Sequence, residues 1–552
     1  MAQTLRAVNV ASATSRRWLI PAFAFAAPLL AALWFGTAQA IDASAWSRLF
    51  ADSQFAPALC LSLWVGVAAW TLSLAIVLQL VPRLHGTPTW IRIESALGAV
   101  LAVPHAAFAI GFALLLMPSG WIFRVMALVT DWTSPPDVAS VQDRFGLALI
   151  AALVLKEVPF LLWNVAAQLR RVGQGAEVER ALQIAASMGY SKRVAWARVL
   201  WPQLLPRLAL PLLAVWAYSF SVVDMALVLG PTRPPTLGVL AWQWLLDADD
   251  AMNRQGGAAA LLLTVQVGAI AFIAACAWRI ARPLLLRRWT RGDRSPARSH
   301  EVNALPTLAT AIYAAVLASL AFASVAGVWN FPALWPAQWT LQAWTVALAS
   351  TSTIGVTAGL ALASAATGLV LAVAWMETTP ARWDARAAPL LFAPMLVPGV
   401  LLAAGLYRMS LELGIDASLT GLWLAHSVYV APYVMVALAP AYRGFDARYE
   451  QTAHALGRSH TAFLTQVKWP MLAAPLAAAF AVGFAVSVTQ YLSTQFVGAG
   501  RHATLTTEAL TLASGGQRDL TAAFALLQAL LPALVFTAAW WIGRQQRRRI
   551  IA

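Results

Sequence analysis

Charge is scarce in this chain. Of 552 residues, 11% are Asp, Glu, Lys or Arg and 60% are apolar, whereas soluble domains run at about a quarter charged and roughly half apolar. That excludes a water-soluble globule, and with it disordered and collagen-like chains. Cysteine is scarcer still: Cys60 and Cys276 each stand alone in an apolar run, so there is no disulfide framework or thiolate metal cluster. Lysine occurs only as Lys156, Lys192 and Lys468, preceded by Leu155, Ser191 and Val467. None follows glycine, which excludes the Gly-x4-Gly-Lys-Ser/Thr phosphate loop. The histidines are scattered, no His-Glu-x-x-His helix is written, and His454 and His460 carry no metal motif. No metal site is read. Gly256-Gly257 and Gly515-Gly516 are helix-end punctuation. With no nucleophile, metal or carboxylate cluster converging in the sequence, a membrane enzyme lacks its chemistry.

What the chain does have is apolar blocks of about twenty residues, long enough to cross a hydrocarbon layer as helices. Twelve are predicted. Six run near Trp18–Thr37, Pro57–Val81, Ser95–Met117, Phe145–Leu169, Leu204–Gly230 and Gly256–Ile280. Six more run near Pro306–Val328, Leu341–Met376, Pro389–Ser410, Leu419–Tyr442, Met471–Gly498 and Leu520–Gly543. The block from Leu341 is too long for one upright helix, so it tilts or includes a short surface helix.

The formal charge of +15 would ordinarily point to nucleic acid, but so apolar a chain has little water-facing surface for such a site. Laid out with the N-terminus in the cytoplasm, the inner segments hold 29 Lys/Arg against 9 Asp/Glu and the outer segments 8 against 12. This is the positive-inside pattern, and it places both termini in the cytoplasm. Trp329, Trp335 and Trp339 cluster at an outer interface, as aromatic anchors do. Arg16-Arg17, an apolar run and Ala38-Gln39-Ala40 resemble a twin-arginine secretion signal. The run exceeds the roughly 7–15 residues of a signal core, so we read a retained first helix.

The sequence is also written twice. Gln183–Leu204 aligns without gaps on Gln451–Leu472 at an offset of 268, with 8 of 22 positions identical. The same offset maps Gly230 on Gly498 and Thr236-Leu237 on Thr504-Leu505. Val103-Pro104 and Gly111 match Val397-Pro398 and Gly405 at an offset of 294. Two parallel halves follow, residues 1–278 and 306–552, joined by an arginine-rich cytoplasmic linker at 279–305. The repeated unit lies in inner loops, 170–203 and 443–470. Glu177–Met188 is predicted as a short amphipathic helix that buries Val178, Ala181, Leu182 and Ala185. Gly189 ends it in a left-handed turn, Ser191 caps a second helix, and Trp201-Pro202 disfavours simple continuation into the next span. Gly457, Ser459 and Trp469-Pro470 repeat that punctuation. One such helix–turn–helix could lie on lipid; two at matched places argue for a docking element.

Each loop resembles the cytoplasmic loop of binding-protein-dependent ABC importer permeases: Glu-Ala-Ala, three residues, Gly, then a hydrophobic residue and Pro. Here those places are Gln183, Ala185, Gly189 and Pro202, with Ser191 between, and Gln451, Ala453, Gly457 and Pro470, with Ser459 between. Gln replaces the family's Glu in both copies, which removes any salt bridge of that carboxylate. The fused two-half arrangement is similar to the iron(III), thiamine and YnjC-type permeases. The stretch from Ser221-Val222-Val223-Asp224-Met225 to Pro234-Pro235-Thr236-Leu237 looks most like the YnjC type.

The resemblance implies an all-α integral membrane protein of about twelve helices in the type I (MetI-like) ABC importer fold, set in a bacterial inner membrane. It implies no cofactor in this chain, ATP and Mg being bound by a separate ATPase dimer, and a periplasmic or extracellular binding protein that delivers a small solute such as iron(III) or thiamine. Besides those two partners only the lipid bilayer is expected, and no nucleic acid. Pathway candidates are the intramembrane charges Lys156, Glu157 and Asp224, with Thr489 and Gln490 in the other half. Lys156 and Glu157 point about 100° apart on one helix and so need separate partners; helix packing is the alternative role. The competing class is an ion-driven secondary transporter with two parallel repeats, which gives no reason for twin inner loops.

Overall fold

A computed structural model describes residues 18–170, 174–289 and 304–551. Arg16-Arg17 and most of the expected linker lie outside the described residues. Within them the secondary structure is helical, apart from one isolated bridge between Ala326 and Trp339. Nine helical stretches there are long and apolar enough to cross a membrane. A tenth is made if His460–Met471 and Ala473–Val488, bent by 76°, are joined.

The elements used below are α1 (Leu19–Ala38), α2 (Phe55–Leu84), α3 (Pro88–Ala102), α4 (His105–Leu116), α5 (Leu147–Leu169), α6 (Gln174–Ser187), α7 (Ala209–Ser221), α8 (Asp224–Leu229) and α9 (Asp250–Trp289). The second set is α10 (Ala304–Ala323), α11 (Thr351–Thr378), α12 (Gly399–Glu412), α13 (Leu419–Arg443), α14 (Arg448–Ala455), α15 (Ala473–Val488), α16 (Leu492–Gly498) and α17 (Arg518–Ile551).

Several expected spans are broken, and mostly at matching places. Pro104 and Pro398 lack an amide hydrogen and push the residue before them out of the α region. Val103 and Val397 are extended there, separating α3 from α4 and the Ala393–Leu396 turn from α12. The fifth span parts between α7 and α8 at Val222-Val223, and its counterpart between α15 and α16 at Gln490-Tyr491. The long block from Leu341 is a short helix, Gln342–Ala349, then α11, with Ser350 at the break. At its other end α9 continues to Trp289, into the arginine-rich stretch.

The first helix of each half packs on the other half: α1 on α12, and α10 on α4. The paired glycines explain how these helices come so close. A Cβ at Gly405 would stand 1.8 Å from the Ala32 carbonyl oxygen, and one at Gly111 would stand 2.8 Å from both Val316 Cγ1 and its carbonyl oxygen. Ser319 Oγ donates to the Gly111 carbonyl at 2.9 Å. Small residues that let backbones approach are the usual basis of helix association where no hydrophobic force acts between helices.

Matching bonds recur elsewhere. Leu237 N–H donates to Ser62 Oγ at 2.7 Å, and Leu505 N–H to Thr357 Oγ1 at 2.9 Å. Both satisfy an amide at the start of a buried helix, where no intrahelical acceptor exists. At the end of the bundle away from the repeated loops, Arg124 is buried and donates to the carbonyls of Ser119, Asn330, Ala333 and Trp329. Its guanidinium also sits 4.0 Å over the Trp329 ring. Trp329, Trp335 and Trp339 all gather around Phe322, with Trp121 touching the first two, so the three tryptophans form one aromatic cluster in which Trp335 and Trp339 remain largely exposed.

Candidate functional site

The two repeated loops are built alike from the residues upward. α6 ends as its sequence requires: Gly189 adopts φ +83° and Gly457 φ +73°, the left-handed region that glycine enters without strain. Tyr190 N–H reaches back to the Ala185 carbonyl and Arg458 N–H to the Ala453 carbonyl, each at 2.9 Å. Gly189 and Gly457 N–H bond to Ala186 and His454. These paired bonds are the Schellman closure of a helix C-terminus. Ala185 and Ala453 are buried beneath the turn, while Gln183 and Gln451 face outward. Val178 is buried, with Ala181 and Leu182 packed on the same cluster, as the periodicity predicts. Ser191 and Ser459 then cap the next helix, accepting from Val194 N–H at 3.4 Å and Ala462 N–H at 3.2 Å.

Beyond the caps the chain passes Pro202 and Pro470 through a device absent from the sequence reading. Trp196–Leu200 and Leu464–Lys468 are π turns, closed by Trp201 N–H to Trp196 O and Trp469 N–H to Leu464 O. The wider turn sits just ahead of the proline whose ring would crowd an α-helical carbonyl. Simple continuation is thus avoided without stopping the helix.

Each loop is also fastened to the end of its half's second span. In the first half Lys192 Nζ donates to the His85 carbonyl at 2.5 Å, and the His85 ring packs on the fully buried Trp196. Burial, with Lys192 adding to it, holds the His85 imidazole below its ordinary pKa. In the second half Lys468 Nζ meets Glu377 at 2.5 Å, and His460 lies between Glu377 at 3.5 Å and Glu450 at 3.1 Å. Glu450, His454 and His460 bring ligand-type atoms within 4.8 Å of one another, so these three could hold a metal ion. Their exposure and existing pairing fit an ion-pair network equally well. Asp446 caps the Arg448 amide and pairs with its guanidinium, which holds the carboxyl below its ordinary range. The outer faces of the turns carry exposed Ile184, Met188 and Leu456.

The second cluster lies inside the bundle. Lys156 and Glu157 are buried on α5. Lys156 Nζ donates to the Val103 carbonyl at 2.6 Å, satisfying an acceptor left open where α3 ends. In the other half a neutral group reaches the start of the following helix instead, Tyr429 Oη donating to the carbonyl of Gly399, the first residue of α12, at 3.1 Å. Lys156 and Tyr429 are separated by 273, as are Pro159 and Pro432; this relation in the sequence was missed. Asp224 opens α8 and accepts from Tyr218 Oη at 3.1 Å, and the Tyr218 ring lies 4.9 Å from that of His105. Tyr433 is within electrostatic reach of Glu157, and Tyr491 of Asp224.

Thr489 and Gln490 sit at the matching break of the second half, but their side chains turn back to the Val486 carbonyl at 2.8 and 3.3 Å. The centre of that network is His426, which sequence reasoning passed over. It is buried and bridges Ser487 at 2.8 Å and Thr494 at 3.0 Å across the break. A lone histidine in an apolar run gives no spacing signal, so only the packing of α13 against α15 and α16 discloses it.

No family model matches the chain. Over 530 residues it is 35% identical to the inner membrane ABC transporter permease protein YnjC of Escherichia coli strain K12, which spans 95% of this chain and 96% of that protein. A stretch of 159 residues is 24% identical to the spermidine/putrescine transport system permease protein PotC of the same strain, covering 29% of this chain and 60% of PotC. PotC of Shigella flexneri matches to the same extent.

Proposed function

The chain belongs to the permeases of ATP-binding-cassette transporters of the inner membrane, a multi-pass all-α family, and from that premise we propose that it forms the substrate pathway of an importer driven by a separate ATPase dimer. The family relationship sets aside the ion-driven alternative. The observation that carries the reading is the pair of repeated loops: the same Schellman turn, serine cap and π turn twice, with exposed apolar tips at Ile184, Met188 and Leu456. Each loop takes one ATPase protomer, which binds ATP and Mg. A binding protein on the opposite side delivers a small solute of the iron(III) or thiamine kind. The charge distribution supports cytoplasmic termini and cytoplasmic loops.

Coupling follows from how the loops are fastened. A loop pulled by closing ATPases moves the fifth span, to which its π turn leads directly. It also pulls the second span through Lys192 and the His85 carbonyl in one half and through Lys468 and Glu377 in the other. The breaks at Val222-Val223 and Gln490-Tyr491 let the inner part of a fifth span swing without dragging its outer part rigidly along. Asp224 and Glu157 stand at or near the first break and offer polar groups to a passing solute, while Thr489 and Gln490 at the second would do so only on release from the Val486 carbonyl. Lys156 contributes by holding the α3–α4 corner. No covalent change is made to the solute.

The test is a Gly189→Pro/Gly457→Pro variant. Proline fixes φ near −65° and removes the amide of the closure, so membrane insertion is retained while solute uptake and solute-stimulated ATP hydrolysis are lost. Normal uptake would refute the coupling role.

A further inference from the structure

We propose that the second repeated loop carries a site for one divalent transition-metal ion of the zinc class, held by Glu450, His454 and His460. Glu450 and His454 lie one turn apart on α14, and His460 opens the next helix beyond the Gly457 turn. His454 Nε2 stands 3.7 Å from Glu450 Oε1, and His460 Nδ1 stands 3.1 Å from the same oxygen. All three ligand atoms fall within 4.8 Å of one another. Ligands held tetrahedrally at roughly 2.0–2.2 Å stand about 3.3 Å apart, so the two rings need to close by about 1.5 Å at most. Each ring turns its other nitrogen to a fixed acceptor: His454 Nδ1 meets the Arg458 carbonyl at 3.2 Å. His460 Nε2 faces Glu377 Oε2 at 3.5 Å, the other oxygen of that carboxylate being taken by Lys468. Such outer partners fix the tautomer of metal-bound histidine. With a proton on each outer nitrogen, two neutral imidazoles aim lone pairs at the carboxylate oxygen of Glu450. Exposure and pairing alone suit an ion-pair network as well, but three acceptors converging on one point favour a cation between them.

The donor set selects the ion. Mg²⁺ and Ca²⁺ take oxygen ligands, whereas two imidazoles and one carboxylate suit Zn²⁺, with water in the fourth place. The three side chains are partly exposed, so an ion reaches them from solvent. The first loop gives the contrast. At the offset of 268 it has Leu182, Ala186 and Lys192 at these places. The three residues are therefore no part of the turn that both loops share, which Ala453, Gly457 and Ser459 build. An ion held by them spans that turn and joins α14 to the helix after it. Through Glu377 it also bears on α11, so it stiffens one loop and leaves the other unchanged.

The site stands independently of the coupling role, and its test uses neither ATPase nor transport, so the two can fail separately. Full-length protein made without a histidine tag is stripped with a chelator, desalted and titrated in detergent with Zn²⁺, Mg²⁺ or Ca²⁺ by calorimetry. One Zn²⁺ per chain is expected, and no Mg²⁺ or Ca²⁺. The Gly457 and Arg458 amides, which close the turn, should gain protection from hydrogen exchange when Zn²⁺ binds. Glu377→Gln, which spares the three ligands, is expected to weaken Zn²⁺ about 10-fold, within the range for an outer partner. His454→Ala and His460→Ala should each exceed that range, at about 100-fold or more. His502→Ala, outside the loop, should bind as the wild type does, and thermal midpoints without metal check that each variant is folded. Wild-type affinity in the His454→Ala/His460→Ala protein, an equal loss in His502→Ala, or Zn²⁺ binding that leaves both amides unchanged would overturn the proposal.

Discussion

Alanine at Gly405 would put a methyl group 1.8 Å from the Ala32 carbonyl oxygen and 2.7 Å from its carbonyl carbon. The obstacle is main chain of α1, so no rotamer change relieves it, and α1 must move away from α12 by more than an ångström. Overpacking of a close-packed seam costs about 1–3 kcal/mol even when side chains can yield, and a backbone obstacle places this change at or above the top of that range. Gly111→Ala, at the matching seam, meets Val316 Cγ1 and its carbonyl oxygen at 2.8 Å and Leu320 Cγ at 2.9 Å. Part of that contact is flexible side chain, so the cost falls lower, near 1–2 kcal/mol. Gly98→Ala is the control: nothing lies within 4 Å of its Cβ, and alanine in a helix interior gains about 0.5–1 kcal/mol over glycine. Thermal midpoints of the three variants in one detergent should therefore rank Gly98→Ala above wild type, then Gly111→Ala, then Gly405→Ala. Gly405→Ala melting with the wild type, or above Gly111→Ala, would show that α1 does not seat on α12 as described.

Lys156→Met should lower thermal stability by about 1.5–3 kcal/mol, because it strands the Val103 carbonyl at a helix break, and Tyr429→Phe by about 0.5–1.5 kcal/mol, the loss of one neutral hydrogen bond to the Gly399 carbonyl. An unchanged midpoint for Lys156→Met would return that residue to the pathway alone. Acidification should loosen the first loop. The folded state holds His85 below its ordinary pKa, so the stabilisation is complete above about 6.5 and declines as pH falls, the locally open form binding the proton first. Protection factors at Lys192–Trp196, which divide out the slower intrinsic exchange at acid pH, should fall between pH 7.5 and 5.5 in the wild type and stay level in His85→Gln; an equal fall in both refutes it. Asp224→Asn keeps an acceptor for Tyr218 Oη but removes the charge, so the protein should fold normally and transport should fall. Wild-type transport and ATPase rates in that variant exclude Asp224 from the pathway.

The loops were legible in the sequence because their information is local. Gly189, Ser191 and the buried face from Val178 to Ala185 each decide a dihedral or a cap within a few residues, and duplication doubled the signal. Long apolar runs such as Leu419–Tyr442 were equally plain. The breaks are harder to read: Val103-Pro104 belongs to the repeat, yet hydropathy alone runs Ser95–Met117 through it. What makes the break tolerable is a donor from another span, Lys156, and that is a tertiary fact. The exchange of first helices is hidden for the same reason, although the repeat itself pairs its glycines, Gly111 and Gly405. The polar centre mixed the two cases: charges announce themselves in an apolar run, whereas His426 and Tyr218 acquire meaning only from what they touch.

The seat of α1 on α12 also sets an order for biogenesis. α1 leaves the ribosome long before Gly405 exists, and at about 5–20 residues per second the wait is on the order of tens of seconds. For that time Ala32 and Gly36, whose small surfaces will meet Leu401 and Gly405, face lipid or a holding factor. The first half therefore cannot reach its final arrangement as a nascent unit. A ribosome that stalls before α12 leaves an incomplete protein with an unoccupied, narrow seam, which gives membrane quality control a specific feature to detect.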